Sequence, residues 1–166
     1  MTAIVPLLPA HEAAVEALLD RAFEPGRHAR TAYKVRGDAR PLPALSFVAV
    51  DPDASLAGSV QCWPVRFVGD DGVAVDLVMV GPVAVAPERQ QGGLGRQLMD
   101  RALAAAVAEG VDDRLVLIGD PEYYGRFFGF VADRTGGWRL PGPVEARRLL
   151  ARGDAVPAGA GTIGPR

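Results

Sequence analysis

The 166-residue chain is long enough for a single domain that buries roughly 70% of its unfolded surface. With 49% hydrophobic residues, 23% charged residues and a net charge of -2, it has no general attraction for nucleic acid or an anionic membrane surface. The one cysteine, Cys62, excludes an internal disulfide and a cysteine-clustered metal site. No apolar run reaches the roughly 20 residues of a membrane span, and Met1 to Pro6 lack a secretory pattern, so the expected compartment is the cytoplasm.

In chain order, Ile4 to Leu8 suits an opening strand. Pro9 to Phe23 follows as a helix, with Ala14, Leu18 and Ala22 on one stripe and Val15 and Leu19 beside it. Arg27 to Arg36 is basic and reads either as a solvated short helix or as one wall of a substrate cleft. Leu45 to Val50 and Leu56 to Val68 are strands, and Pro64 within the second marks a bulge or an edge. Gly69-Asp70-Asp71-Gly72 is a hairpin turn leading to a strand over Val73 to Ala86, so three antiparallel neighbours are expected. Gly81-Pro82 interrupts that last strand, where proline cannot donate to a ladder and the sheet must bulge or part.

Leu94 to Glu109 has helical periodicity, carried by Leu94, Leu98, Ala102 and Ala105 with Met99, Leu103 and Val107 adjoining, and Gly110 stops it. Arg114 to Ile118 is a buried strand, and a strand–helix–strand order favours parallel pairing. Glu122 to Phe128 is a short aromatic helix. Gly129-Phe130-Val131 begins another strand, Trp138 to Leu140 is one more, and Val144 to Arg152 is compatible with helix or strand. The expected organisation is one domain over residues 1–154 and a loosely attached Pro/Gly/Ala-rich tail over 155–166.

The stretch from Val83 to Leu98 carries the chemistry. A strand runs into three glycines within four positions, where a long helix exposes its first unpaired N–H groups. Such a terminus attracts anions, and glycine removes the Cβ that would hold a phosphate away. A nucleotide-hydrolysing P-loop would need Lys and Ser or Thr after its second glycine, and Arg96-Gln97 follow Gly95. A dinucleotide fingerprint would need a small residue where Leu98 stands.

Gln90-Gln91-Gly92-Gly93-Leu94-Gly95 instead resembles the Gln/Arg-x-x-Gly-x-Gly/Ala signature of the GNAT superfamily of N-acetyltransferases. The parts around it stand in the family order: Val83 to Pro87, a long helix, a strand, then Tyr123-Tyr124 and Phe128-Gly129-Phe130. Gly119-Asp120-Pro121-Glu122-Tyr123-Tyr124 is similar to a bacterial subgroup with a Gly-Asp-Pro-x-Tyr-Tyr segment. The resemblance implies an α/β (α+β) fold whose mixed, mostly antiparallel sheet has a central splayed parallel pair and helices on both faces. It implies acetyl-CoA as cosubstrate, no metal, and transfer of the acetyl group to a primary amine by direct attack in a ternary complex. The pyrophosphate would lie on backbone N–H groups of Gln91, Gly92, Gly93, Leu94, Gly95 and Arg96, with Gln90 beginning the loop, and the pantetheine arm along Val83, Ala84 and Val85.

A backbone N–H near Val83 would meet the thioester carbonyl. A tyrosine would protonate the departing thiolate. Tyr124 is the first candidate and Tyr123 the second, since Tyr124 lies five residues before Gly129 where the family usually has four. Cys62 reads as core. Asp76 and Glu122 are the nearest carboxylates to a base role and read equally as solvating groups, and the amine acceptor is open. A non-catalytic acyl-CoA-binding or sensing domain is the alternative function, and the elements are compatible with a homodimer.

Overall fold

In the computed structural model, which describes Met1–Arg166, the chain forms eight strands and four α-helices. These are β1 (Ala3–Pro6), α1 (Glu12–Ala22), α2 (Thr31–Arg36), β2 (Phe47–Val50), β3 (Leu56–Gly69), β4 (Ala74–Val85), α3 (Leu94–Ala108), β5 (Leu115–Ile118), α4 (Pro121–Phe128), β6 (Trp138–Arg139), β7 (Leu149–Arg152) and β8 (Gly161–Pro165). The sheet is mixed and mostly antiparallel, ordered β1-β2-β3-β4-β5-β7 with β8 beside β3 and β6. The chain divides into two compact units, and the long strands β3 and β4 contribute residues to each.

The first unit comprises Met1–Arg27, Pro41–Cys62 and Gly81–Glu109. Alternation along β2 sends its side chains to opposite faces. Val48 joins Val15, Leu18 and Leu19 of α1 in one apolar cluster, together with Ala84 and Ala86. Phe47 takes the other face, where Arg101 of α3 lies 4.9 Å over its ring. Helices therefore cover both faces of this part of the sheet. α3 is fixed by Leu94, Leu98, Met99, Ala102, Leu103 and Ala106, each buried, and a fully buried leucine or methionine contributes about 1.5–3 kcal/mol. The helix is rotated slightly from the expected stripe, because Ala106 is buried where Val107 is exposed. α1 is rotated likewise, with Val15 buried and Ala14 exposed.

The second unit comprises His28–Arg40, Trp63–Val80 and Gly110–Arg166. Its core gathers Val65 and Phe67 of β3, Leu77 and Met79 of β4, Val116 of β5, and Trp138 and Ile163. β4 and β5 are parallel, joining Val78 to Leu115 and Met79 to Val116. On its other side β5 stays paired with β7 as far as Ile118. The β4 ladder thus stops two residues before the end of β5, just ahead of Gly81-Pro82, whose peptide bond is cis. The expected parting of the sheet occurs here.

Pro64 has an equally local explanation. β3 pairs with β2 as far as Val60 and with β8 from Val65 onward, so the residue without an N–H falls between the two partners.

Three expectations need correction. Arg27 and Arg36 are not on a solvated face. The Arg27 side chain is 3% exposed and its Nη2 bonds Glu16 and Asp20 at 2.6 and 3.0 Å. Arg36 is buried with its guanidinium 3.8 Å from the Tyr33 ring and 3.7 Å from the Trp63 ring. Gly129-Phe130-Val131 does not open a strand: Val131 makes one bridge to Ala151, and Phe130 turns into the core with its N–H on the Tyr124 carbonyl. The glycine-rich end is not loose either, because β8 pairs antiparallel with Val65–Gly69 of β3 and parallel with β6. Ile163 anchors it in the core. Gly161, which lowers strand propensity in the sequence, is where the Phe67 ring leaves no room for a Cβ.

Candidate active site

The glycine turn lies wholly in the first unit. β4 ends at Val85, a single 3-10 turn covers Pro87–Arg89, and α3 begins at Leu94. The turn is anchored before it starts. Arg89 Nη1 pairs with Asp51 Oδ2 at 2.6 Å, Arg89 Nη2 donates to Thr2 Oγ1 at 2.8 Å, and Thr2 Oγ1 donates to Asp51 Oδ1 at 2.6 Å. Those bonds hold the Asp51 carboxyl below its ordinary range, through Thr2 first and Arg89 second. Glu88 beside it pairs with Arg21 at 2.5 Å. Then Gln90, extended at φ -67 and ψ 156, donates from Nε2 to the Val85 carbonyl at 3.3 Å.

Gln91 and Gly93 both adopt left-handed backbone, at φ 73 and φ 81. Left-handed residues interspersed in a turn bring successive N–H groups toward one side, as an anion-binding nest requires. For Gln91 that conformation costs on the order of 1–2 kcal/mol, a strain found chiefly at functional loops. A Cβ on Gly93 would meet nothing within 4 Å, and one on Gly92 would meet only the Arg89 carbonyl at 3.6 Å. The turn is open on that side, which suits a polyanion resting on backbone donors. Gln90, Gln91 and Arg96 are exposed, Leu94 is buried as the helix's first core residue, and Gly95 faces Val85 Cγ2. Val83 and Val85 are half-buried and Ala84 is buried.

One glycine that the sequence reading passed over makes this arrangement fit. A Cβ on Gly58 of β3 would stand 2.8 Å from Leu98 Cδ1 and 3.0 Å from the Ala84 carbonyl oxygen. Gly58 therefore lets α3 settle close against the sheet. Its signal in the sequence is only an isolated glycine inside a strand pattern.

The tyrosines belong to the second unit. Pro121 starts α4 where its missing N–H costs nothing, and Gly129 closes it in the left-handed region. Tyr124 lies with its ring on Gly119, where a Cβ would be 2.5 Å from Cε2. Gly119 in turn donates its N–H to the Arg148 carbonyl at 2.9 Å. The Tyr124 hydroxyl is pushed up to about 12 by burial first, then by Tyr123 and Asp120, with Arg148 opposing. Tyr123 stacks edge-on against Tyr124 at 4.9 Å and against Phe127 at 5.4 Å.

The acetyltransferase (GNAT) family model matches residues 12–130. The chain belongs to that family. Among solved structures it is similar to the GNAT family N-acetyltransferase YhbS from Escherichia coli in complex with CoA, at 27% identity and a TM-score of 0.77 over 99% of this chain and 89% of that one. A GNAT family acetyltransferase from Brucella melitensis in complex with acetyl-CoA has 26% identity and a TM-score of 0.59 over 93% and 97% of the two chains. The ribosomal-protein-S18-alanine N-acetyltransferase from Escherichia coli shares the fold, at 21% identity and a TM-score of 0.56 over 91% and 90%. No curated protein matches the chain.

Within this GNAT chain the two carboxylates considered as bases are both engaged. Asp76 is held low by Arg66 at 2.9 Å and by Arg166, and Glu122 is ion-paired with Arg147 and also lowered. Both are strongly ionised and weakly basic, as solvating groups are. Cys62 is buried, its thiol pushed up to about 12 by desolvation, as expected of a core residue. No group of three or more His, Cys, Asp or Glu side chains converges to hold a metal ion, and no helix is long and apolar enough to cross a membrane. The second unit also holds an open cavity of about 640 Å³ between the start of α2, the end of β5 and the chain before β7.

Proposed function

We propose that this GNAT family member is an acetyl-CoA-dependent N-acetyltransferase that moves an acetyl group from the thioester to a primary amine by direct attack in a ternary complex. The observation that carries this reading is the open, left-handed turn at Gln91–Gly93 on the N-terminus of a 15-residue helix. Backbone N–H groups from Gln91 to Arg96 bind the pyrophosphate, with Gln90 fixing the entry to the loop and Gly92, Gly93 and Gly95 keeping Cβ atoms out of the way. Val83, Ala84 and Val85 hold the pantetheine arm along the part of β4 that follows the parted ladder, and an N–H near Val83 meets the carbonyl oxygen as it gains charge. The CoA-bound and acetyl-CoA-bound relatives support this choice of donor. The Gly119–Tyr124 segment is our basis for grouping the chain with the bacterial Gly-Asp-Pro-x-Tyr-Tyr subgroup.

Bound acetyl-CoA supplies an acyl group that is already activated, so the protein need provide no nucleophile. Tyr124 keeps its proton throughout the physiological range and delivers it toward the departing sulfur, with Tyr123 as the second candidate. In water a phenol of pKa about 12 would be too weak an acid for a thiolate whose conjugate thiol has pKa ~8.5. Exclusion of water by the bound acceptor would raise the thiol as it raises the phenol, and so narrow the gap between them.

Thermal denaturation with acetyl-CoA and release of free thiol on an amine panel test the reading. At 100 times Kd the ligand should stabilise the protein by about 2.7 kcal/mol, and thiol should appear only when a suitable amine is present. Stabilisation without thiol release on any amine would make the protein an acyl-CoA-binding or sensing domain. No stabilisation would remove acetyl-CoA as the ligand.

A further inference from the structure

The cavity of about 640 Å³ lies entirely within the second unit, and its lining is chemically mixed. Arg30 and Arg148 bring two positive charges to it, Glu145 brings one negative charge, and Ala32, Ile118 and Val144 supply apolar wall. Arg148 is tied to the tyrosines of the same unit. Its carbonyl accepts from Gly119, the residue on which the Tyr124 ring rests, and its charge acts on the Tyr124 hydroxyl. Its side chain is 38% exposed, with Nε 3.3 Å from Asp120 Oδ1. That Nε is buried and makes no aligned hydrogen bond, although the two groups are within ion-pair reach. Asp120 therefore orients the guanidinium from one side while leaving most of its five N–H donors for another acceptor. Thr31 gives its hydroxyl to the Pro143 carbonyl at 2.5 Å and so fixes the loop before Glu145 to the start of α2.

Opposite charges on one small-walled cavity select a ligand that carries both signs. We infer that the acceptor is an amine that also bears a carboxylate, an amino-acid-class molecule, whose carboxylate is met by Arg148 and Arg30 and whose amino group enters on the Glu145 side. This rests on the acetyltransferase reading and narrows its acceptor. Lining charges of two plus and one minus fit a monoanionic carboxylate beside an ammonium, whereas a dianionic phosphate would face Glu145 unfavourably. The apolar wall favours a small or medium aliphatic side chain over a polar one.

The experiment compares leucine, leucinamide and O-phosphoethanolamine with the full-length protein, by calorimetric binding in the presence of CoA and by thiol release from acetyl-CoA. Leucine should bind and react at least about tenfold better than leucinamide, the expected scale for a charge-assisted hydrogen bond to the missing carboxylate. In Arg30→Gln and Arg148→Gln the leucine-to-leucinamide ratio should fall toward one. Reading the ratio separates lost recognition from a general loss of fold, and the exposed Arg30 guards against the second. Leucine discrimination in binding with no thiol release would uphold the pocket assignment and overturn only the acetyltransferase reading. Turnover with equal use of leucine and leucinamide would overturn the assignment and leave acetyl transfer intact, as would preference for O-phosphoethanolamine or unchanged ratios in both variants.

Discussion

The candidate regions of the two units are built from different materials. In the first unit the donor turn is backbone: left-handed Gln91 and Gly93, an open helix start, and a hydrogen-bonded triad of Thr2, Asp51 and Arg89 that fixes the approach. In the second unit the tyrosine region and the cavity are side chains: Tyr124 laid on Gly119, Arg148 against Asp120, and Glu145 in the cavity lining. A pyrophosphate is the same in every donor molecule, so a fixed array of N–H groups serves it. An acceptor varies from enzyme to enzyme, and side-chain charge is the part of a protein that changes without disturbing the backbone.

By that contrast, changes at the second unit's tyrosines should alter turnover and changes in the first unit's glycine turn should alter donor affinity. The largest effect is expected from Tyr124→Phe, which should lower kcat by up to about 10²-fold with the acetyl-CoA Kd within about twofold. An unaffected kcat, with Tyr123→Phe impaired instead, would move the proton-donor role by one residue. Gly58→Ala should destabilise by about 1–3 kcal/mol in urea denaturation, since the new methyl group must displace Leu98 or the Ala84 carbonyl. Gly93→Ala should raise the acetyl-CoA Kd about tenfold, because alanine resists φ 81, while kcat at saturation stays near wild type. A kcat loss there, with Kd unchanged, would break the division of labour.

The effect felt furthest from working conditions is on alkaline stability. Cys62 and Tyr124 are neutral acids whose folded values, both about 12, lie above their ordinary 9.0 and 10.0. Between those limits the unfolded chain has released protons that the folded chain retains, so stability is full below about pH 9 and falls as pH rises toward 12. Cys62→Ala should flatten the early part of that fall and Tyr124→Phe the later part, measured by denaturation at stepped pH.

Much of the first unit was legible because its signals are local. Helical periodicity from Leu94, the glycines before it and the proline in β4 each act through their own backbone. The second unit hides more, because its order depends on partners distant in sequence. Gly161 reads as a tail residue until the Phe67 ring is known to lie against it, and Arg36 reads as a solvated charge until Trp63 is found above it. Phe130 has the alternation of a strand but follows a left-handed Gly129 that turns it inward. Arg148 and Glu145 carried no motif at all, and only folding gathers them with Arg30 around one cavity.

The partner exchange along β3 has a consequence for how the chain is made. Leu56–Val60 find β2 among residues already synthesised, whereas Val65–Gly69 must wait for Gly161–Pro165. Throughout translation of everything between, an apolar strand edge containing Val65 and Phe67 stands without its final neighbour, the condition under which nascent chains pair wrongly with one another. Pro64 sits at the start of that waiting segment, a residue unable to donate to a foreign strand. β8, the least strand-like stretch in composition, is thus the piece whose arrival ends the exposure.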